Sequence, residues 1–258
     1  MIKAIFFDID GTLVSFKTHT IPESTLKTMH ALQKKGVKLF VSTGRPRLLI
    51  EHFSTFPFDG YVALNGQYCY VGDKVIRSVC IARSDIALIV KHLEETNQSC
   101  VFIEENYMYV NHINDRVREV CSVINIQLPP VEPLSRPLQR DILQLIYFAN
   151  KEEEQQLLPK LNEVKAARWS PVFTDIVPAS GDKSVGIAAM LNHFGIDRSE
   201  TMAFGDGGND ITMFRYVAHG VAMGNAEPEV QQAADYVTTS VDEDGIQRAI
   251  QHFGLLDD

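Results

Sequence analysis

At 258 residues, with 45% hydrophobic and 22% charged side chains, the chain can bury a large core and has the make-up of an ordinary globular protein. Its formal net charge of −9 argues against a nucleic-acid partner, which would want a basic face. No apolar run approaches the length that spans a bilayer, and the N-terminus lacks the segments of a secretory signal. The sequence therefore predicts a cytoplasmic protein, a monomer with no membrane partner. Cys69, Cys80, Cys100 and Cys121 form no C-x-x-C pair and have no histidine at metal-ligand spacing, so they read as buried free thiols.

The first strand is an apolar run from Lys3 to Phe7 that drives into Asp8-Ile9-Asp10-Gly11-Thr12. If the strand continued through both acids, its alternation would put Asp8 and Asp10 on one face. Gly11 predicts a sharp exit, which places them at the lip of a sheet. Crowded carboxylates repel, and a divalent cation is the usual remedy, although Asp-Gly is also common in plain turns. Leu13 to His19 reads as a short polar loop. Thr20-x-x-Glu23 resembles a capping box with Pro22 in the first turn of a helix from about Ile21 to Lys35, stopped by Gly36. Val37 to Val41 is the second strand and runs into Ser42-Thr43-Gly44-Arg45. Strand, helix and strand in so short a span make a βαβ unit with parallel strands. Both acids and Thr43-Gly44 then emerge at one C-terminal sheet edge, where open α/β sheets bind ligands.

A third strand is predicted at Tyr61 to Leu64, closed by Asn65-Gly66, then a hairpin of Tyr68 to Val71 and Lys74 to Val79. From residue 82 to residue 181 the texture changes to helices mixed with hairpin strands. Helices are expected from Ser84-Asp85 to Glu95, near Asp115 to Ile124 and from Glu152 to Val164. Strands are expected at Cys100 to Ile103, Tyr107 to Val110, Asp141 to Ala149 and within Trp169 to Val177, with a proline-rich stretch from Pro129 to Pro137. The βα rhythm then returns: a helix from Lys183 to Phe194 with a Gly195 stop, a strand from Thr201 to Phe204 that ends in Gly205-Asp206-Gly207-Gly208-Asn209-Asp210, and a following helix. A strand at Gly220 to Met223, a helix at Glu227 to Ala234, a strand at Tyr236-Val237 and a helix from Glu243 to Phe253 complete the chain. The fold class is α/β. A parallel-sheet core of residues 1–81 and 182–258 is split by an inserted α+β domain of residues 82–181.

Five features fall at strand ends or helix starts of the core: Asp8 with Asp10, Thr43-Gly44, Lys183, Asp206, and Asn209-Asp210. Singly, each has a plainer reading as a turn, a solvated lysine or a glycine-rich loop with a capping aspartate. Together they describe a phosphoryl site. A carboxylate can attack phosphorus to give an aspartyl-phosphate, and a second one can protonate the leaving oxygen and later activate water. Mg²⁺ takes hard oxygen ligands, which Asp8 and Asp206 supply from two strands. Thr43 and the Gly44 amide can donate to phosphate oxygens, and a lysine at a helix start adds positive charge. Such local cations would also let an acidic protein hold an anionic substrate.

The order of these motifs resembles that of the haloacid dehalogenase superfamily, in particular its Cof-type phosphatases with a large cap inserted between the second and third motifs. Asp8-Ile9-Asp10-Gly11-Thr12 matches motif one, Ser42-Thr43-Gly44-Arg45 motif two, Lys183 motif three and Gly205-Asp206-x-x-Asn209-Asp210 motif four. The resemblance implies a Rossmann-like core with an α+β cap. It implies Asp8 as nucleophile and Asp10 as general acid/base, with Mg²⁺ held by Asp8, Asp206 and the Asp10 carbonyl. Phosphate would be held by Thr43, Gly44, Lys183, Asn209 and the Ile9 amide, with Arg45 beside it, while Asp210 orients either the metal's waters or Lys183. Asp182 and Gln67 depart from the family's pattern without removing a catalytic group.

The predicted activity is hydrolysis of a small phosphorylated metabolite, sugar phosphates foremost. A phosphomutase, a receiver-like phospho-acceptor module and a non-catalytic phosphometabolite sensor are the competing readings. Within the insert, Glu104, Glu105, Asn106, Asn111 and His112 are candidate leaving-group contacts, weighed against the ordinary solvation of turns. Trp169 reads as core rather than a sugar platform.

Overall fold

The computed structural model describes residues 1–50, 53–123, 126–168 and 170–256. The chain opens with β1 (Ala4–Phe7), α1 (Glu23–Lys34), β2 (Lys38–Ser42), α2 (Arg47–Ile50), β3 (Gly60–Ala63), β4 (Tyr68–Val71) and β5 (Lys74–Ser78). It continues through α3 (Arg83–Thr96), β6 (Cys100–Ile103), β7 (Met108–Val110), α4 (Asp115–Val123), β8 (Gln144–Tyr147), α5 (Lys151–Leu157), β9 (Val164–Ala167) and β10 (Thr174–Pro178). It closes with α6 (Lys183–Phe194), β11 (Thr201–Gly205), α7 (Ile211–Tyr216), β12 (His219–Ala222), α8 (Pro228–Gln232), β13 (Tyr236–Val237) and α9 (Gly245–His252). Two compact units result: residues 1–45, 49–77 and 182–258, and residues 46–48 and 78–181.

The first unit holds an eight-stranded sheet in the order β13-β12-β11-β1-β2-β3-β4-β5. The six strands from β13 to β3 run parallel, and β4 returns antiparallel to β3. Chain order moves outward from β1 in one direction through β2 and β3, and from β11 in the other through β12 and β13. The boundary between β1 and β11 is therefore the topological switch point, where such sheets bind ligands. Ala4 and Phe6 join Phe40, Ala203, Ile187 and Met213 in a core with α6 and α7 on one face. Strand alternation turns Ile5 and Phe7 to the opposite side, where Phe7 stacks on Phe204 at 5.2 Å. Near-continuous burial along β1, β2 and β11 is what a sheet covered on both faces requires.

The second unit is a five-stranded sheet, β7-β6-β8-β10-β9, antiparallel at every pairing. Cys100 and Phe102 of β6 face a core built with α3 and Leu157 of α5, while Val101 and Ile103 face Val117 and Cys121 of α4. Two buried faces thus alternate along one strand. Asn150 caps α5 through a reciprocal box with Glu153.

The helix expected from Glu152 to Val164 ends early, at Leu157. Pro159 lacks an amide hydrogen and cannot continue the ladder, so the chain tightens into a 3₁₀ turn at Leu158–Lys160. The buried carboxylate of Asp85 then accepts from the amides of Asn162 and Glu163, and Val164 starts a strand. The capping box at Thr20 does not form: Pro22 itself is the N-cap, and the Thr20 hydroxyl donates to Thr18. Nor is Leu13 to His19 simply polar, since Leu13, Val14 and Ser15 are buried. Trp169 and the C-terminal end of the helix expected to reach Ile124 lie outside the described residues. Among the described residues, no helix is long and apolar enough to cross a membrane.

Candidate active site

β1 stops at Phe7, so Asp8 is the first residue beyond the sheet and a turn replaces the strand alternation of the two acids. The Asp8 amide donates to Phe204 O at 2.9 Å, which anchors the turn to β11. Val14 N donates to Ile9 O at 2.8 Å and Gly11 N to Val14 O at 2.9 Å, folding the segment back on itself. Gly11 has φ +79°, and a Cβ there would stand 2.1 Å from Asp206 Oδ2. Glycine is required for both reasons.

β11 lies next to β1 and ends at Gly205, so Asp206 leaves the sheet beside Asp8. Carboxylate oxygens of Asp8, Asp206 and Asp210 lie within 4.8 Å of one another. Lys183, the first residue of α6, is fully buried rather than solvated. Its Nζ donates to Asp8 Oδ1 at 2.6 Å and to Asp210 Oδ1 at 2.5 Å. Asp210 Oδ2 accepts from the Asp206 and Gly207 amides, both at 2.9 Å. Asp210 therefore closes its own loop and aims the lysine. Asp182, which departs from the family pattern, is the N-cap of α6 and accepts from the Ser184 and Val185 amides. Gln67, the other departure, is fully buried.

One lysine cannot compensate three carboxylates. Burial, reinforced by the Asp210 charge, outweighs Lys183 and pushes Asp8 up to about 7. Burial pushes Asp206 up to about 6, against the hydrogen bond from Thr12. Burial also disfavours the Lys183 ammonium, but the charges of Asp210 and Asp8 overcome that penalty and hold its pKa above the ordinary lysine value. The lysine stays charged, and the carboxylates hold protons more tightly than free aspartates do.

Asp10 points elsewhere. Arg45 Nε donates to its Oδ2 at 2.8 Å and Arg45 Nη2 to its Oδ1 at 2.5 Å, a two-pronged pair that leaves the Asp10 side chain outside the carboxylate cluster. Arg45 is thus committed to Asp10. Thr43 is buried, and its hydroxyl oxygen accepts from the Arg45 amide at 3.1 Å. Ile9 is buried within the same turn as the acids. Asn209 Nδ2 donates to Asn65 Oδ1 at 2.9 Å.

Two further residues grip Asp206. Thr12 Oγ1 donates to its Oδ1 at 2.8 Å. Asn225 Nδ2 donates to its Oδ2 at 3.1 Å and to Gly11 O at 2.9 Å, while Asn225 Oδ1 accepts from Val241 N at 3.1 Å. Asn225 follows β12 by a few residues, and its position just past a parallel strand was the available signal for it. In the second unit, three candidate contacts are engaged within the unit. Glu104 pairs with Arg136 at 2.8 and 3.0 Å, Asn111 holds Cys100 N and Gln98 O, and His112 lies 3.2 Å from the Ser99 hydroxyl.

A family profile described as haloacid dehalogenase-like hydrolase matches residues 5–250. YkrA of Bacillus subtilis, named as a phosphatase candidate, is 36% identical over 256 residues, 98% of each chain. Among solved structures, a sugar phosphatase of subclass IIB of the haloacid dehalogenase superfamily has 41% identity and a TM-score of 0.87, covering 98% of this chain and 100% of that one. A hypothetical protein of Geobacillus kaustophilus has 34% identity and a TM-score of 0.94, covering 99% of this chain and 100% of that one.

Proposed function

The chain belongs to the haloacid dehalogenase-like hydrolases, and we propose that it is a phosphatase that cleaves small phosphate monoesters, sugar phosphates foremost, with Mg²⁺ and through an aspartyl-phosphate on Asp8. The observation that carries this reading is the buried Lys183 holding Asp8 beside Asp206 at the switch point of the sheet. The similar sugar phosphatase supports the substrate class.

The donor set suits Mg²⁺. It offers hard oxygens, its carboxylates packed close enough for one ion, with burial first and neighbouring acids second raising Asp8 and Asp206. Asp8 and Asp206 would hold the ion together with the Asp10 carbonyl. Asp210 accepts three hydrogen bonds, one of them from the Lys183 ammonium, whereas each Asp206 oxygen accepts one, so we assign Asp210 to Lys183 and Asp206 to the ion. Bound Mg²⁺ would neutralise phosphate charge and bring the phosphoryl group to Asp8.

The chain's own residues supply the rest. Asp8 attacks phosphorus as the bond to the leaving oxygen breaks, and Asp10 gives that oxygen its proton. Asp10 then takes a proton from water as the water attacks the aspartyl-phosphate, which returns Asp8 as carboxylate. Arg45 fixes the plane of the Asp10 carboxylate through both oxygens. Thr43, Gly44, Asn209 and the Ile9 amide hold the phosphate oxygens, and Lys183 keeps Asp8 in place. We take residues 78–181 as the family's cap domain, whose work is to exclude water from the reaction.

The test is phosphate release from a panel of sugar, nucleotide and cofactor phosphates with Mg²⁺ and with chelator. Turnover that needs Mg²⁺ and disappears in Asp8→Asn is expected. A silent panel, or an Asp8→Asn protein as active as the wild type, refutes the reading.

A further inference from the structure

The turn between β3 and β4 holds three consecutive residues in the left-handed region: Leu64 at φ +50°, Asn65 at φ +51° and Gly66 at φ +87°. Leucine is a poor occupant of that region, and asparagine only a tolerable one. Two backbone contacts of this conformation lead to the phosphate-binding elements. Leu64 N donates to Arg45 O at 3.1 Å and Asn65 N to Thr43 O at 3.0 Å, so two adjacent amides dock the turn onto Thr43-Gly44-Arg45. A Cβ on Gly66 would stand 2.1 Å from Asp182 O, the residue before Lys183. The Gly66 carbonyl also accepts from Arg77 Nε at 3.0 Å.

The Asn65 side chain continues the pattern. Its Oδ1 accepts from Asn209 Nδ2 at 2.9 Å. Its amide also packs against Gly44, where an added Cβ would come within 3.3 Å of Asn65 Nδ2. A carboxamide has two ends of nearly equal shape and opposite hydrogen-bonding sense. Left alone, Asn209 could turn either end toward an anion, and its oxygen would repel phosphate. The acceptor beside it favours the N–H₂ end and leaves one N–H to donate.

We propose that Asn65 is a positioning residue for phosphate binding, setting the carboxamide of Asn209 so that its remaining N–H is free to donate to phosphate. The inference rests on the reading of Asn209 as a phosphate holder.

The test is a double-mutant cycle on the full chain: wild type, Asn65→Gly, Asn209→Ala and the pair, each titrated with inorganic phosphate in Mg²⁺ by calorimetry and assayed for turnover. Glycine accepts the left-handed backbone without strain, so Asn65→Gly should melt at or above the wild-type temperature. Its dissociation constant for phosphate and its KM should both rise about tenfold, the scale of one hydrogen bond to a charged group, with kcat changed less than about threefold. In the Asn209→Ala background the same substitution should add nothing. Wild-type phosphate affinity in Asn65→Gly, losses that multiply in the pair, or a wild type that binds no phosphate would each overturn the proposal. A wild type that binds phosphate but cleaves no ester would sink the phosphatase reading alone, and the binding cycle would still decide the role of Asn65.

Discussion

Lowering the pH from 8 to 5 at fixed Mg²⁺ should set protons against the proposed cation for the oxygens of Asp8 and Asp206. Asp8 sits at about 7 and Asp206 at about 6, both above the 3.8 of an unperturbed aspartate. With folded values raised, the metal-free protein keeps protons that the unfolded chain has already released. The contribution of these two groups to metal-free stability therefore falls as pH rises through the window from roughly 4 to roughly 7. Mg²⁺ requires the ionised forms. At pH 5, about two log units of affinity are lost to protonated Asp8 and about one to Asp206, a limit of about 10³-fold relative to pH 8. The two groups share one lysine and Asp206 is partly solvated, so about 10²-fold is the working figure. Thermal unfolding measured with chelator and across a Mg²⁺ series at pH 5, 6, 7 and 8 reads this directly. The Mg²⁺ concentration at which the melting temperature begins to rise should fall by about two decades from pH 5 to pH 8, and Asp206→Asn should flatten the dependence. Equal Mg²⁺ stabilisation at the two ends of the range would refute the argument that buried, proton-holding carboxylates form the cation site.

Gly11→Ala should cost about 1–3 kcal/mol in urea unfolding and weaken Mg²⁺ activation, because the new Cβ meets Asp206 Oδ2 and the backbone sits at φ +79°. Asn225→Ala frees one oxygen of Asp206 and should raise the Mg²⁺ requirement about tenfold while kcat at saturating metal is largely kept, as a metal titration of turnover will show. Arg45→Ala removes both donors from the Asp10 carboxylate and should lower kcat by about 10- to 100-fold, with KM for the ester moved less. Asn150→Ala breaks the capping box of α5 and should destabilise the protein by about 1 kcal/mol without altering turnover, as paired denaturation and activity measurements will reveal.

Much of the fold is local in origin and was legible. The helix expected from Lys183 to Phe194 with a Gly195 stop has those bounds, and Gly195 sits at φ +65° as the C-cap. β6 and β13 likewise have the predicted bounds, each an apolar run between turn residues. The early end of α5 was also written locally, in Pro159, but the helical spacing of the flanking residues masked it. β9 was missed because its four residues are stabilised by pairing with β10 rather than by their own pattern.

By itself the sequence determined which side chains reach the sheet edge, since a parallel strand delivers whatever follows it to that edge. Only the tertiary structure decided what those side chains do to one another. Lys183 is buried between Asp8 and Asp210, Arg45 is tied to Asp10, Asn209 donates to Asn65, and Asn225 grips Asp206 and Gly11. Asn225 and Gly11 stand 214 residues apart in sequence, Lys183 and Asp8 175, and Asn209 and Asn65 144. Hydrogen bonds at such separations leave no periodicity in the chain. They exist because β1 and β11 are neighbours, and burial beside one lysine then makes the carboxylates compete for charge.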